Sequence, residues 1–336
     1  MGPRIGGLGR REFTTGLAAV GIVGLRSEQA QAEPPPETTR LRVLRTPSIC
    51  EAPAQLASAL LEAEGFTDVQ YVKVGDSVAA DKVLASGKVD LGLATALAGV
   101  MRIDAGDPRL LLSGVHVGCF ELFGTEQVRS IRDLRGKTVA VPALGSSQHA
   151  YIASMAAYVG VDPQKDIHWV VRRGAQAMQL LAEGKLDALI GFPPEPQQMR
   201  ARKIGHVVVD TGLDRPWSEH FCCMVTANRD FVRKNPVAAK RATRGILKAR
   251  AVCELEPQRA AQVLVDRGYP TTYDLALQTL REIPFGKWRE LDPEDTVRFL
   301  ALRLREAGMV KSSPQKIIAQ GTDWRFLNEL KKEMKT

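Results

Sequence analysis

"LAEGKLD" occupies Leu181–Asp187, and "LASGKVD" occupies Leu84–Asp90, ninety-seven residues earlier, with five of seven letters identical. In both copies apolar residues at helical spacing run into a glycine, and an apolar run follows the aspartate. Glycine supplies the left-handed residue that closes a helix, and lysine suits the negative end of the helix dipole. Alone, the phrase is good helix-to-strand chemistry and no more. Its surroundings give it weight. Before the first copy come a strand pattern, "LRVLRT" (Leu41–Thr46), a helical one, "EAPAQLASALLEAEGF" (Glu51–Phe66), and a second strand, "VQYVKV" (Val69–Val74). The phrase ends a helix, "SVAADKVLASG" (Ser77–Gly87), and opens a buried strand, "VDLGLAT" (Val89–Thr95). A helix from Ala96 and a strand, "RLLLSGVHV" (Arg109–Val117), follow.

The same grammar restarts at Lys137. "KTVAVP" (Lys137–Pro142), "IHWVV" (Ile167–Val171) and "LDALIGF" (Leu186–Phe192) read as strands. Between them lie the helical "SSQHAYIASMAAYVG" (Ser146–Gly160) and "AQAMQLLAEG" (Ala175–Gly184). Two βαβαβ halves predict an α/β chain with two lobes of like topology, each a mostly parallel sheet flanked by helices. From Phe231 onward helical periodicity dominates, ending in "DWRFLNELKKEM" (Asp323–Met334).

The chain has 336 residues, 44% hydrophobic and 25% charged, enough for two cores. Its formal charge of +8 is dispersed among acidic residues, so no nucleic-acid partner is expected. The densest stretch, "RKNPVAAKRATRGILKAR" (Arg233–Arg250), reads as a solvated helix face. Cys50, Cys119, Cys222, Cys223 and Cys253 show neither a CxxC nor a Cys/His metal spacing, and read as small buried hydrophobes. On a regular strand, Cys222 and Cys223 would point to opposite faces. No metal or cofactor is expected.

The N-terminus reads as an address. Arg4, Arg10 and Arg11 precede an apolar Thr14–Leu25, and Ala30-Gln31-Ala32 has the A-x-A cleavage pattern. Arg10-Arg11-Glu12-Phe13 resembles a twin-arginine export signal, with Gly9 and Thr14-Thr15 departing from its usual form. Residues 1–32 are thus expected to be a signal cleaved near Ala32, or else kept as an anchor. Residues 33–40 would be a Pro-rich leader, and the mature protein periplasmic.

Ligands of open α/β sheets bind beyond the carboxyl ends of the strands. That selects loops bearing Ser48, Asp76 and Ser77, Thr95, Ser146 and Ser147, Arg173, and Phe192 and Glu195, with His116 near the end of its strand. "GSSQH" (Gly145–His149) is the best of these. A glycine and two serines opening a helix offer free N–H groups and hydroxyls to an anion, and Ser146 is equally an N-cap. His149 lies one turn in. Arg172 and Arg173 could pair with a carboxylate, sulfonate or nitrate. Catalytic motifs are missing. "GKT" (Gly136–Thr138) lacks the first P-loop glycine, since Ile131 stands there, and it precedes a strand; no G-x-G-x-x-G, G-x-S-x-G or H-E-x-x-H is present.

These features together resemble the periplasmic substrate-binding proteins of ABC importers, in the nitrate/sulfonate/taurine branch. The resemblance rests on "DLRGKTVAVPALGSSQHAYIASMAAYVGVDPQKDI" (Asp133–Ile167), "LLAEGKLDALIGFPPEP" (Leu180–Pro196) and "NRDFVRKNP" (Asn228–Pro236). It implies a two-lobed type II periplasmic-binding-protein fold with the ligand cleft between the lobes. Residues 41–125 and 223–336 would form lobe 1 and residues 126–222 lobe 2, with crossovers near Gly118–Arg129 and His220–Ala227. It also implies a monomer that closes on a small-molecule solute and docks on the transmembrane subunit of an ABC permease. Ser146, Ser147 and His149 match the family's anion-side turn; Ser48 and Asp76–Ser77 match its lobe-one contacts. The family often has an aromatic residue directly before a proline after "LDAL"; here Gly191-Phe192-Pro193-Pro194-Glu195 follows, and Glu195 would repel an anion or pair with an amine. The expected function is capture of a small, anionic solute without catalysis. Two alternatives stand beside it. One is a sensory binding protein. The other is a thiamine-pyrimidine-precursor synthase on the same scaffold, favoured by "HFCC" (His220–Cys223) and opposed by the export signal.

Overall fold

The computed structural model describes residues 33–75 and 77–334. The expected export signal and Asp76 lie outside the described residues, as do the side chains of Ser77 and Val78. Met1–Pro34 and Pro35–Thr336 are separate units, and the architecture below is that of the second.

Ten strands form two five-stranded sheets. They are β1 (Arg40–Arg45), β2 (Asp68–Lys73), β3 (Leu91–Thr95), β4 (Arg109–Val117), β5 (Glu121–Gly124), β6 (Lys137–Val141), β7 (Ile167–Val171), β8 (Ala188–Gly191), β9 (His206–Asp210) and β10 (Phe221–Asn228). The first sheet runs β2-β1-β3-β10-β4 and the second β7-β6-β8-β5-β9. In each, three parallel strands come from one βαβαβ half, and an antiparallel strand is inserted beside the third. The two sheets therefore have one topology.

The repeated phrase occupies the same joint in both. Gly87 and Gly184 take φ of 67° and 68°, the left-handed conformation that ends each helix. The Lys88 N–H donates to the Val83 carbonyl at 3.0 Å, and the Lys185 N–H to that of Leu180 at 2.9 Å. The aspartates then do one job twice. Asp90 accepts from the Arg42 backbone N–H at 2.7 Å, and Asp187 from that of Thr138 at 2.8 Å. Each carboxylate satisfies a donor of the first strand of its βαβαβ half where the neighbouring strand has not yet begun.

Three features differ from expectation. The helix foreseen over Glu51–Phe66 is a 3₁₀ turn, Ile49–Glu51, and two short helices, Ala52–Leu56 and Ser58–Ala63. β5, expected in lobe 1, lies in the second sheet, so the first crossing is at residues 118–120. β9 and β10 had no clear strand signature, and the second crossing spans residues 211–220. The crossings pack backbone against backbone: a Cβ on Gly118 would overlap the Gly212 Cα.

The C-terminal helices cover both lobes. Leu300 and Leu304 of helix Pro293–Glu306 join a core with Leu97 and Val100 from helix Ala96–Asp104 and with Ile152 and Met155 from helix Ser147–Tyr158. Among the described residues no helix is long and apolar enough to cross a membrane.

Candidate ligand cleft

A cleft of about 270 Å³ lies between the carboxyl ends of the strands of the two sheets. Lobe one contributes Thr46, Pro47 and Ser48 after β1, Gly75 after β2, and Thr95 ending β3. Lobe two contributes Pro142 and Ala143 after β6, Arg173 and Gly174 after β7, and Phe192 and Glu195 after β8. The contributing loops are equivalent in the two halves.

Two helices begin at this cleft. The Thr95 hydroxyl caps helix Ala96–Asp104 by accepting from the Ala98 N–H at 3.2 Å. The Ser146 hydroxyl caps helix Ser147–Tyr158 by accepting from the His149 N–H at 3.2 Å. Thr95 Oγ1 and Ser147 Oγ are 2.8 Å apart, a hydrogen bond between the lobes. Hydroxyls at two positive helix ends suit an electron-rich group. Phe120 and Phe192, with ring centroids 5.8 Å apart, form an apolar wall.

The charged groups oppose one another. Arg173 is exposed at the rim, and its Nε donates to the Pro142 carbonyl at 2.9 Å. Burial pushes the Glu195 carboxyl up to about 7, against a weak hydrogen bond from the Phe192 N–H. Glu51, which the sequence did not single out, is buried on the lobe-one side and accepts from the Thr46 hydroxyl at 2.6 Å. Burial pushes it well above the carboxylate range, and the neighbouring Cys50 adds to the rise. Protonated, both carboxyls become donors to an anion; ionised, they repel it.

The structure thus brings Ser48, Thr95, Ser146, Ser147, Arg173, Phe192 and Glu195 to one cleft. Two expected ligand residues stand elsewhere. His116 is fully buried in β4, its ring nitrogens 3.1 Å and 3.0 Å from the carbonyl oxygens of Val117 and Cys50. His149 braces the serine turn from behind. Its Nδ1 accepts from the Gly145 N–H at 3.0 Å, its ring stands edge-on to Trp169, and burial holds its pKa below the ordinary imidazole value. Both face inward because polar ring nitrogens near a backbone carbonyl or N–H find a partner without solvent. Beyond Glu51, the sequence reading missed Phe120 on the cleft, whereas Thr46 and Gln148 lie in the expected loops that bear Ser48 and Ser146–Ser147.

The cysteines also depart from expectation. All five are free, yet Cys50, Cys119, Cys222 and Cys223 converge beneath the cleft. A register shift in β10 between Phe221 and Cys223 breaks the strict alternation, so adjacent cysteines share a neighbourhood. Cys119 Sγ and Cys222 Sγ are 3.1 Å apart. Hydrogen bonds from Cys119 and Cys223 hold the Cys50 thiol well below its usual range, although burial opposes them. Cys253 alone behaves as a small hydrophobe, its thiol pushed up by burial.

Two like lobes, one crossing strand in each sheet and a cleft at the strand ends decide the architecture. The fold is that of the periplasmic binding proteins. The nitrate-binding protein NrtA of Synechocystis superposes with a TM-score of 0.75 at 15% identity, covering 90% of each chain. The alkanesulfonate-binding protein SsuA of Xanthomonas axonopodis, solved with MOPS bound, superposes with a TM-score of 0.66 at 17% identity, over 87% of this chain and 99% of that one. Residues 121–266 match the NMT1-like family. Among curated relatives, the bicarbonate-binding protein CmpA of Synechococcus elongatus is 27% identical over 37% of this chain. The chain spans little more than a quarter of that relative's length, 28%. The 4-amino-5-hydroxymethyl-2-methylpyrimidine phosphate synthase THI12 of Saccharomyces cerevisiae is 25% identical over 55% of this chain and 57% of its own length. The chain therefore has this fold and is similar in sequence to both a solute-binding protein and a synthase.

Proposed function

We propose that this chain is the solute-binding component of an ABC importer, which closes its two lobes on a small organic anion and presents it to a membrane permease. One observation carries the reading: the capped helices at Thr95 and Ser146–Ser147 meet across a cleft whose other wall is Phe120 and Phe192. Helix ends and hydroxyls suit an anionic head, and the aromatic wall suits an apolar body. A cleft of about 270 Å³ holds more than a bare nitrate or bicarbonate, which favours an organic sulfonate or carboxylate. On this reading the chain works as an exported monomer in the periplasm, reached by the twin-arginine route and cleaved near Ala32. It carries out no catalysis.

The test is a thermal-shift and calorimetric screen of sulfonates, taurine, nitrate, carboxylates, amino acids and pyrimidines. A saturating organic anion should raise the melting midpoint by a few degrees. Replacing Ser146 and Ser147 with alanine should weaken its binding by about 1–3 kcal/mol for each buried partner lost. Unchanged affinity in the double variant sinks the site assignment. Chemical conversion of a bound pyrimidine would replace the binding reading with the synthase one.

A further inference from the structure

The cysteine cluster lies beneath the cleft, outside the helix ends and aromatic wall proposed to hold the solute. Cys50 follows β1, Cys119 lies in the first crossing, and Cys222 and Cys223 open β10 after the second. Cys50 Sγ, Cys223 Sγ and a ring nitrogen of His116 all lie within 4.8 Å of one another, and all three residues are buried. Cys119 Sγ approaches Cys222 Sγ to 3.1 Å. Cys119 holds φ at 124°, a conformation that L residues other than glycine rarely adopt. Such strain costs on the order of 1–3 kcal/mol and persists where the surroundings impose it.

We propose that this cluster is a binding site for one thiophilic metal ion, Zn²⁺ or Cu⁺, held by the sulfurs of Cys50 and Cys223 and completed from Cys119, Cys222 and His116. The spacing fits. A zinc–sulfur bond of about 2.3 Å gives a tetrahedral edge of about 3.8 Å, which lies between the sulfur–sulfur approach of Cys119 and Cys222 and the span of the triad. Thiolate and imidazole donors select soft and borderline ions and reject calcium and magnesium. Each ligating thiol releases its proton to solvent as its sulfur takes the ion. The sulfurs are the primary donors, because each His116 nitrogen already faces a carbonyl and ligation would cost one of those contacts. Ser48 Oγ, 2.9 Å from Cys50 Sγ, is placed to support that ligand by hydrogen bonding. Cys50 also lines the cleft, so an ion has a route in without opening the core. Cys119 lies in the first interlobe crossing, and Cys222 and Cys223 directly follow the second, so the ion would fasten the hinge whatever solute the cleft takes.

The full chain, reduced and stripped with a chelator under anaerobic conditions, is loaded with Zn²⁺ or Cu⁺ in separate arms. Metal per chain is read by elemental mass spectrometry, and Co²⁺ reports thiolate ligation by its charge-transfer absorption. One ion per chain is expected. The cobalt band should survive in Cys253→Ala and vanish in Cys50→Ala and Cys223→Ala, with zinc affinity falling at least about tenfold. Should those variants misfold, thiol alkylation of the wild-type chain with and without Zn²⁺ decides. The metal should protect the cluster thiols from labelling and leave Cys253 unchanged. No ion uptake, equal labelling in both states, or a band that survives both substitutions overturns the proposal. A Cys119–Cys222 disulfide that forms in place of uptake overturns it as well.

Discussion

Glu195 sets the pH dependence expected of the cleft. Its folded-state pKa is about 7 against an ordinary 4.5, because burial penalises the carboxylate. An acid raised in the folded state contributes stability that is full below 4.5 and lost as pH rises through about 7. Urea denaturation at pH 5 and pH 8 should therefore show the wild type losing about 2 kcal/mol more than Glu195→Gln over that interval. Parallel losses would place the carboxyl in solvent. The same titration acts on a ligand. Affinity for a permanently anionic sulfonate should fall as pH rises past 7 in the wild type and stay level in Glu195→Gln, as read by calorimetry.

At the scale of the element, the repeated glycine-lysine-aspartate joint is the unit that builds each sheet. Its two aspartates differ in exposure and partners. The Asp90 side chain is 6% exposed and also receives the Arg42 guanidinium, at 2.5 Å and 3.1 Å. The Asp187 side chain is 28% exposed, and its nearest cation, Lys137, is 3.9 Å away. Asp90→Ala leaves a buried donor and a cation unpaired and should cost about 2–4 kcal/mol; Asp187→Ala should cost about 1–2 kcal/mol. Denaturant midpoints check the order, and equal losses would mean that the guanidinium contributes nothing. The serine cap is smaller again: Ser146→Ala should cost about 1 kcal/mol through the His149 N–H it leaves bare.

At the scale of the molecule, the lobes are held together at more than the hinge. Arg200, on helix Glu195–Ala201, pairs with Glu121 of the second sheet and reaches Glu282 of the C-terminal helix Tyr273–Glu282 at 2.5 Å. The Gln197 amide donates to the same Glu282 carboxylate at 2.8 Å. With Thr95 and Ser147, these contacts join the two lobes, and we expect them to favour a closed arrangement. The Glu282 side chain is 39% exposed, so its ion pair is worth at most about 1 kcal/mol. Glu282→Gln should therefore shift the closed-to-open ratio by no more than about fivefold, since about 1.4 kcal/mol is tenfold. Small-angle scattering of the ligand-free chain should show a larger radius of gyration, and solute affinity should fall by the same factor. Unchanged scattering and affinity would mean that this latch does not hold the lobes.

What the sequence determined by itself is local and repeated. Helix, glycine stop, lysine, aspartate and buried strand are set by backbone conformation and short-range hydrogen bonding, so the two-lobed plan was legible from Leu84–Asp90 and Leu181–Asp187. The cleft was legible in part, because Thr95, Ser146, Ser147 and Glu195 sit at strand ends that the pattern marks. The tertiary structure alone decided the rest. β5 and β10 carry no parallel-strand signature, because each is an antiparallel insertion whose place depends on the partner sheet. Glu51 entered the cleft because a short 3₁₀ turn, and not a continuous helix, begins after β1. His116 and His149 turned inward to backbone partners that no periodicity specifies. Cys50, Cys119, Cys222 and Cys223 are spread over more than 170 positions and share no motif spacing. They meet because both crossings pass the same point beneath the cleft, a proximity that chain topology creates and local sequence does not encode.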